Sequence, residues 1–277
     1  MTRSVRRTHR IPRTARVAGA GAAALLALSA CSSSSDTDSE SAGASSSSSS
    51  GKLSGQVTVF AAASLKESFT TLGETFEKQH PGTEVTFNFA GSDTLAASIT
   101  GGAPADVFAS ASPKTMATVT DAGATAGTPA TFVRNQLEIA TLPGNPEHIS
   151  SLKDLTDSGL KVVLCDRTVP CGAAARKALD AGGLDLTPVS YEQDVKAALT
   201  KVELKEADAA VVYKTDVKAA DGKVTGVDFP ESAKAVNDYP ITLLKDAPNA
   251  DAARAFVELV KSAEGQRVLT GAGFRTP

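Results

Sequence analysis

The 277-residue sequence contains no tryptophan, three tyrosines, three histidines, three cysteines and two methionines. Each scarcity closes off a class of chemistry. Sugar binders stack rings on aromatic platforms, and this chain has little to build them from. Metal catalysis needs a cluster of ligands, yet neither H-E-x-x-H nor paired C-x-x-C motifs occur. His80 precedes a proline and His148 lies in a Pro/Gly loop, so both read as solvent-facing. The nucleophile elbow G-x-S-x-G is missing. S-x-x-K occurs at Ser150 to Lys153 and at Ser158 to Lys161, but without the S-D-N or K-T-G partners that penicillin-recognising enzymes require. A secreted serine hydrolase is therefore a remote alternative, and the chain is expected not to be an enzyme. The phosphate loop G-x-x-x-x-G-K-[ST] is missing too, so nothing in this chain hydrolyses ATP.

Acidic residues are missing from the first thirty positions, which hold Arg3, Arg6, Arg7, Arg10, Arg13 and Arg16. The run VAGAGAAALLALSA that follows is too short for a stable membrane span, so residues 1–30 read as an export signal. Leu28-Ser29-Ala30-Cys31 resembles the lipobox of bacterial lipoproteins, in which the signal is removed before the cysteine; Cys31 is then expected to carry a lipid. Residues 32–50, SSSSDTDSESAGASSSSSS, offer no apolar side chain larger than alanine and cannot bury enough surface to offset the entropy of ordering. Residues 31–51 thus read as a lipidated tether that holds a body on the outer face of the cell membrane. Without the six arginines, 22 basic residues face 31 acids, a net charge near −9, and no Lys or Arg cluster follows residue 30. Nucleic acid is not expected as a partner. Cys165 and Cys171 are the thiols left once Cys31 is lipidated, and a pair this close in an oxidising exterior makes a short-loop disulfide an expectation.

What is present is an alternation. QVTVF, EVTFNF, ADVFAS, QLEIATL, KVVLC, ADAAVVY and YPITLL read as strands; Leu65, Phe69, Leu72 and Phe76, the segments TLAASIT, SPKTMATVTDAG and AAARKALDAGG, and a long pattern over 252–269 read as helices. A short helix is expected around Ser151 to Leu155, and no repeat of fixed length occurs. This is the pattern of α/β sheets that are largely parallel, where ligands sit beyond the strand C-termini at helix starts. Those turns carry Ser64, Ser92 in FAGSDTLA, Cys171 in VPCG and Tyr213 at the end of VVY. None is basic. Helix N-termini present unpaired N–H groups and partial positive charge, so several converging on one cleft could hold a small anion. For Ser64 a second reading stays open: Ser64-Leu65-Lys66-Glu67 fits a capping box that binds nothing else. Ser92 could likewise be a plain cap. An amino-acid binder would want an arginine clamp at such a turn, and none is seen there.

AAASL after the first strand, FAGSDTLA, GAPADVFASA, VPCG, QDV, VVY and the terminal SAEGQRVLTGAGF occur in the order and spacing of the molybdate-binding proteins of ABC importers, and from about Gly55 to Phe274 the chain resembles that family. The resemblance implies a type II periplasmic-binding-protein fold: two lobes, each a mixed, mostly parallel sheet flanked by helices, joined by two hinge strands. Lobe 1 would comprise 52–131 and 239–277, and lobe 2 132–238. It implies an oxyanion site between them, with Ser64 and Ser92 donating from lobe 1, and Cys171, Val195 and Tyr213 from lobe 2. Val195 can offer only main chain, and Cys171 is expected to donate its N–H. It further implies molybdate or tungstate as ligand, no cofactor, a monomer, and an ABC permease with its ATPase as partners. A site made only of donors suits a fully ionised dianion and leaves a protonated phosphate one bond short. Sulfate or phosphate binding is the nearest alternative, with Asp93 the group that could accept a phosphate proton.

Overall fold

Two five-stranded sheets organise residues 52–277, which the computed structural model describes. The export signal, Cys31 and the tether lie outside the described residues. In chain order the elements are β1 (Gly55–Ala62), a 3-10 turn (Ala63–Leu65), α1 (Lys66–Gln79), β2 (Thr83–Ala90), α2 (Ser92–Thr100), β3 (Val107–Ala109), α3 (Pro113–Asp121), β4 (Ala130–Asn135) and β5 (Leu137–Thr141). After a 3-10 turn (Lys153–Thr156) come β6 (Val162–Cys165), α4 (Pro170–Gly182), β7 (Ser190–Glu192), α5 (Val195–Glu203), β8 (Ala209–Tyr213), α6 (Lys214–Ala219) and β9 (Thr225–Val227). A 3-10 turn (Pro230–Lys234), β10 (Asn237–Leu243), α7 (Ala250–Lys261) and α8 (Ala263–Gly271) complete the chain.

The sheets share one plan. The first runs β2-β1-β3-β10-β4 and the second β7-β6-β8-β5-β9. In each, three parallel strands are followed by two antiparallel additions, so parallel and antiparallel pairings are equal in number rather than mostly parallel. In each the first antiparallel strand is the one arriving from the other lobe: β10 from the second, β5 from the first.

Strand periodicity places the cores. Val57, Val59 and Ala61 of β1 face Phe69, Phe76, Phe132 and Phe256, while Phe60 turns to Leu95, Phe108 and Met116 on the opposite side. Phe256 of α7 stands edge-on to Phe69 and Phe76, with ring centroids 6.0 and 5.6 Å apart, an arrangement the aromatic quadrupole favours. The second sheet has its own core, drawn from residues 137–235.

Three expectations change. Residues 132–135, assigned from sequence to lobe 2, form part of β4 in the first sheet, and Phe132 and Val133 pack in the first core. Asn237 and Asp238 likewise begin β10 of that sheet. An extended crossing has the same alternation as the strand it continues, so sequence does not mark the handover. The helical pattern over 252–269 is two helices, because Ser262 is extended and caps both: its Oγ donates to Leu259 O at 2.7 Å and accepts from Gly265 N–H at 3.2 Å. The capping box at Ser64 does not form. Residues 63–65 make the 3-10 turn, α1 starts without a side-chain cap, and Glu67 pairs elsewhere.

Candidate oxyanion site

A pocket lies between the lobes, with about 230 Å³ of atom-free space counted out to open solvent. Ser64, Ser92, Cys171, Val195 and Tyr213 all line it, each buried, as do Asp194 and several small residues, Ala62, Ala63 and Gly91 among them. Among the described residues no lysine or arginine reaches its wall. The small side chains let backbone approach the centre. Gly91 also lets the lobes meet, since a Cβ there would stand 2.6 Å from the Gln193 carbonyl oxygen of the other lobe.

Parallel topology explains the convergence. Ser64 and Ser92 follow the C-terminal ends of β1 and β2; Cys171 and Val195 open α4 and α5 after β6 and β7; Tyr213 ends β8. The N–H groups of Ser92, Cys171 and Val195 fall in first turns and have no intrahelical acceptor. In α5 the capping Asp194 accepts from Lys196 N–H at 2.8 Å and Ala197 N–H at 2.9 Å, which leaves the Val195 N–H to the pocket. The α4 turn is tightened by a bond between Cys165 and Cys171, whose Cα atoms are 5.8 Å apart. Gly172 permits that turn: a Cβ there would lie 1.9 Å from the Asp166 carbonyl oxygen.

The hydroxyls are not idle caps. Ser92 Oγ accepts from Ala111 N–H at 3.0 Å, so its own hydrogen remains for another acceptor. Ser64 Oγ lies 2.9 Å from the Tyr239 hydroxyl. Tyr213 accepts from Asn237 Nδ2 at 2.7 Å, and burial above all raises its pKa well beyond the ordinary phenol value, so it stays protonated. The wall is thus N–H and O–H donors, with one carboxylate, Asp194, already committed through Oδ1 to its own helix.

The profile of the family described as bacterial extracellular solute-binding protein matches residues 57–275. The chain belongs to this family. Its relatives include the molybdate-binding protein ModA of Mycobacterium tuberculosis, 48% identical over 221 residues that cover 80% of this chain and 85% of that protein. ModA of Haemophilus influenzae is 35% identical over 238 residues, covering 80% and 90%. Among solved structures, the periplasmic molybdate-binding protein of Azotobacter vinelandii superposes with a TM-score of 0.70 at 21% identity, over 80% of this chain and 99% of that one, which establishes the shared two-lobed α/β fold. The family is one of solute binders, not enzymes. Among the described residues no helix is long and apolar enough to cross a membrane.

Around the pocket of this solute-binding protein lie groups that sequence reading missed. Lys196 reaches Asp216 Oδ1 at 3.2 Å in its own lobe and Glu67 Oε1 at 2.9 Å in the other. Burial is the largest single influence on Lys196 and lowers its pKa, but Asp216 and Glu67 together outweigh it and the net shift is upward. At Asp216 burial prevails and lifts the carboxyl to about 6. Asp216 Oδ2 also accepts from the N–H of Tyr213 at 3.1 Å. Asn135 and Asn237, register partners on β4 and β10, donate to Thr215 Oγ1 at 2.8 Å and to Tyr213. No motif singles these out, because Lys196, Asn135 and Asn237 act on partners distant in sequence, and Asp216 meets Lys196 as well as the nearby Tyr213 N–H. Asp93 does not line the pocket wall, but its Oδ1 is buried without a hydrogen-bond partner beside Gly91, which does; Asp194 is the acid in the wall itself.

Proposed function

We propose that this protein captures molybdate, and tungstate with it, between its two lobes and delivers the anion to an ABC permease driven by its ATPase. The observation that carries the reading is the convergence of donors from both lobes on a pocket to whose wall the described residues bring no Lys or Arg. Ser64, Ser92 and Tyr213 would donate through hydroxyls, and Cys171 and Val195 through backbone N–H. A fully ionised tetrahedral anion offers only acceptors, which such a wall satisfies. Charge-assisted bonds of about 1.5–3 kcal/mol each make micromolar to nanomolar affinity reachable after the cost of closure. Because the anion bridges both lobes it selects the closed form, and that form is what a permease would recognise. The 48% identity to a mycobacterial molybdate-binding protein supports the choice of ligand. Cys31 would be lipidated and residues 31–51 would tether a monomeric body outside the cell membrane. The decisive experiment is thermal melting with molybdate, tungstate, sulfate and phosphate, since a ligand raises stability with its affinity. Molybdate and tungstate are expected to raise the melting temperature most; a larger shift with sulfate or phosphate would overturn the assignment.

A further inference from the structure

Among the described residues Tyr213 is the phenol in the pocket wall, and a residue outside that wall bonds to it. Asn237 sits at the start of β10, where the chain returns to the first lobe, and is buried. Its Nδ2 lies 2.9 Å from Ala111 O, 2.7 Å from the Tyr213 hydroxyl and 3.4 Å from Pro170 O. Carbonyl oxygens only accept, so the atom facing Ala111 and Pro170 must be the amide nitrogen. Its two hydrogens serve the two shorter contacts, Ala111 O in the first lobe and the Tyr213 oxygen in the second. With an N–H already aimed at that oxygen, the phenol's own hydrogen turns away from Asn237, which leaves it for an acceptor in the pocket that Tyr213 lines or for the neighbouring Tyr239 hydroxyl.

We propose that Asn237 is a specificity-determining positioning residue, which locks Tyr213 as a hydrogen-bond donor and so disfavours oxyanions that carry a proton. The inference rests on the proposed oxyanion function and deepens it. A hydrogen phosphate ion must place its own O–H against an acceptor. A tyrosine free to rotate could supply one, whereas a tyrosine held as donor presents hydrogen to hydrogen. Asn237 and Ala111 belong to the first lobe and Tyr213 to the second, so the lock itself spans the two lobes.

The test is a double-mutant cycle read by calorimetry with molybdate and with inorganic phosphate. Asn237→Ala is expected to weaken molybdate about ten-fold, and Tyr213→Phe by about 10- to 100-fold. The double variant should bind molybdate no more weakly than Tyr213→Phe alone, because Asn237 acts through that hydroxyl. The preference for molybdate over phosphate should fall about ten-fold in Asn237→Ala. Losses that simply multiply in the double variant, or a preference that stays constant, would reduce Asn237 to a structural residue and overturn the proposal. Should Asn237→Ala fail to melt cooperatively without ligand, Asn237→Ser carries the same cycle. Wild-type protein that ignores molybdate would overturn the proposed function instead, and the cycle is then read with tungstate or sulfate, whichever binds; if neither binds, both proposals fall.

Discussion

Ser64 and Ser92 in the first lobe stand where Cys171 and Val195 stand in the second: after the central strand of a parallel trio and after its outer neighbour. The slots are equivalent, but they are filled differently. The first lobe offers side-chain hydroxyls held by partners such as Ala111 N–H and Tyr239, and the second offers main-chain N–H groups at the starts of α4 and α5. A hydroxyl can be deleted without disturbing the backbone. An amide can be removed only by moving the chain, so the two halves should respond differently to mutation.

The second half should break hardest. In Gly172→Ala the new Cβ would lie 1.9 Å from Asp166 O and 2.5 Å from Cys165 O, both main chain and neither able to swing aside. Overpacking of this kind costs about 1–3 kcal/mol, and here it displaces the turn that aims the Cys171 N–H. Molybdate affinity is expected to fall by about 100-fold, with a lower denaturation midpoint in urea. Wild-type affinity in a folded variant would show that the α4 turn contributes nothing to the site.

Hydroxyl deletions come next. Tyr213→Phe is expected to cost about 10- to 100-fold in molybdate affinity, and Ser92→Ala or Ser64→Ala about ten-fold or somewhat more, as charge-assisted bonds suggest. The ligand-free melting temperature should also fall for Ser92→Ala, because the buried Ala111 N–H loses its acceptor at a cost of about 1–3 kcal/mol. Calorimetry and melting of the same samples separate the two effects; a serine variant that binds as tightly as wild type takes that residue out of the site.

This asymmetry also explains what could be read from sequence. Ser64, Ser92 and Tyr213 carry visible functional groups at strand ends, and the alternation of strands and helices put those ends in one layer. Val195 has nothing to show but a backbone position, and resemblance to a family, not its own chemistry, nominated it. The capping box at Ser64 misled because S-x-x-E is a local rule. Ser64 instead bonds Tyr239, 175 positions away, and Glu67 meets Lys196 across the lobes. Asn237, Asp216 and Lys196 were invisible for the same reason. The handover between lobes was blurred because β4 and β10 run as ordinary strands up to the crossing.

The bond between Cys165 and Cys171 offers a milder perturbation of the second half. Closing so short a loop stabilises the fold by about 2 kcal/mol on the chain-entropy account. Replacing both cysteines with serine should cost about that much in urea denaturation. The same turn is also held by Val169 N–H to Asp166 O at 3.1 Å and by Thr168 to the Asp166 carboxylate, which those contacts keep below the usual carboxylate range. Molybdate affinity should therefore fall less than about ten-fold, a smaller loss than Gly172→Ala inflicts, because the amide stays roughly where it was. An equal loss in both would mean that the disulfide, not local packing, aims the Cys171 N–H.

The smallest effect is expected where the halves touch through charge. Glu67 is half-exposed, and its pair with Lys196 should contribute no more than an exposed ion pair does, so Glu67→Gln should weaken molybdate by about two- to five-fold, mainly through faster release. Asp216, buried on the other side of Lys196, provides the sharper readout. Its carboxyl titrates near 6 in the fold, raised chiefly by burial, against 3.8 as the ordinary value. Between about pH 4 and pH 6 the folded protein holds a proton that the unfolded chain has lost. Acidification across that window therefore favours the fold, and the contribution disappears as pH rises through about 6. Lys196, shifted upward, stays charged throughout. Asp216→Asn removes this titration, so the difference in melting temperature between wild type and variant should change between about pH 4 and 6 and level off above about pH 7. A difference that stays constant from acid to neutral pH would mean that Asp216 is ionised throughout, and that the attraction of Lys196 outweighs its burial after all.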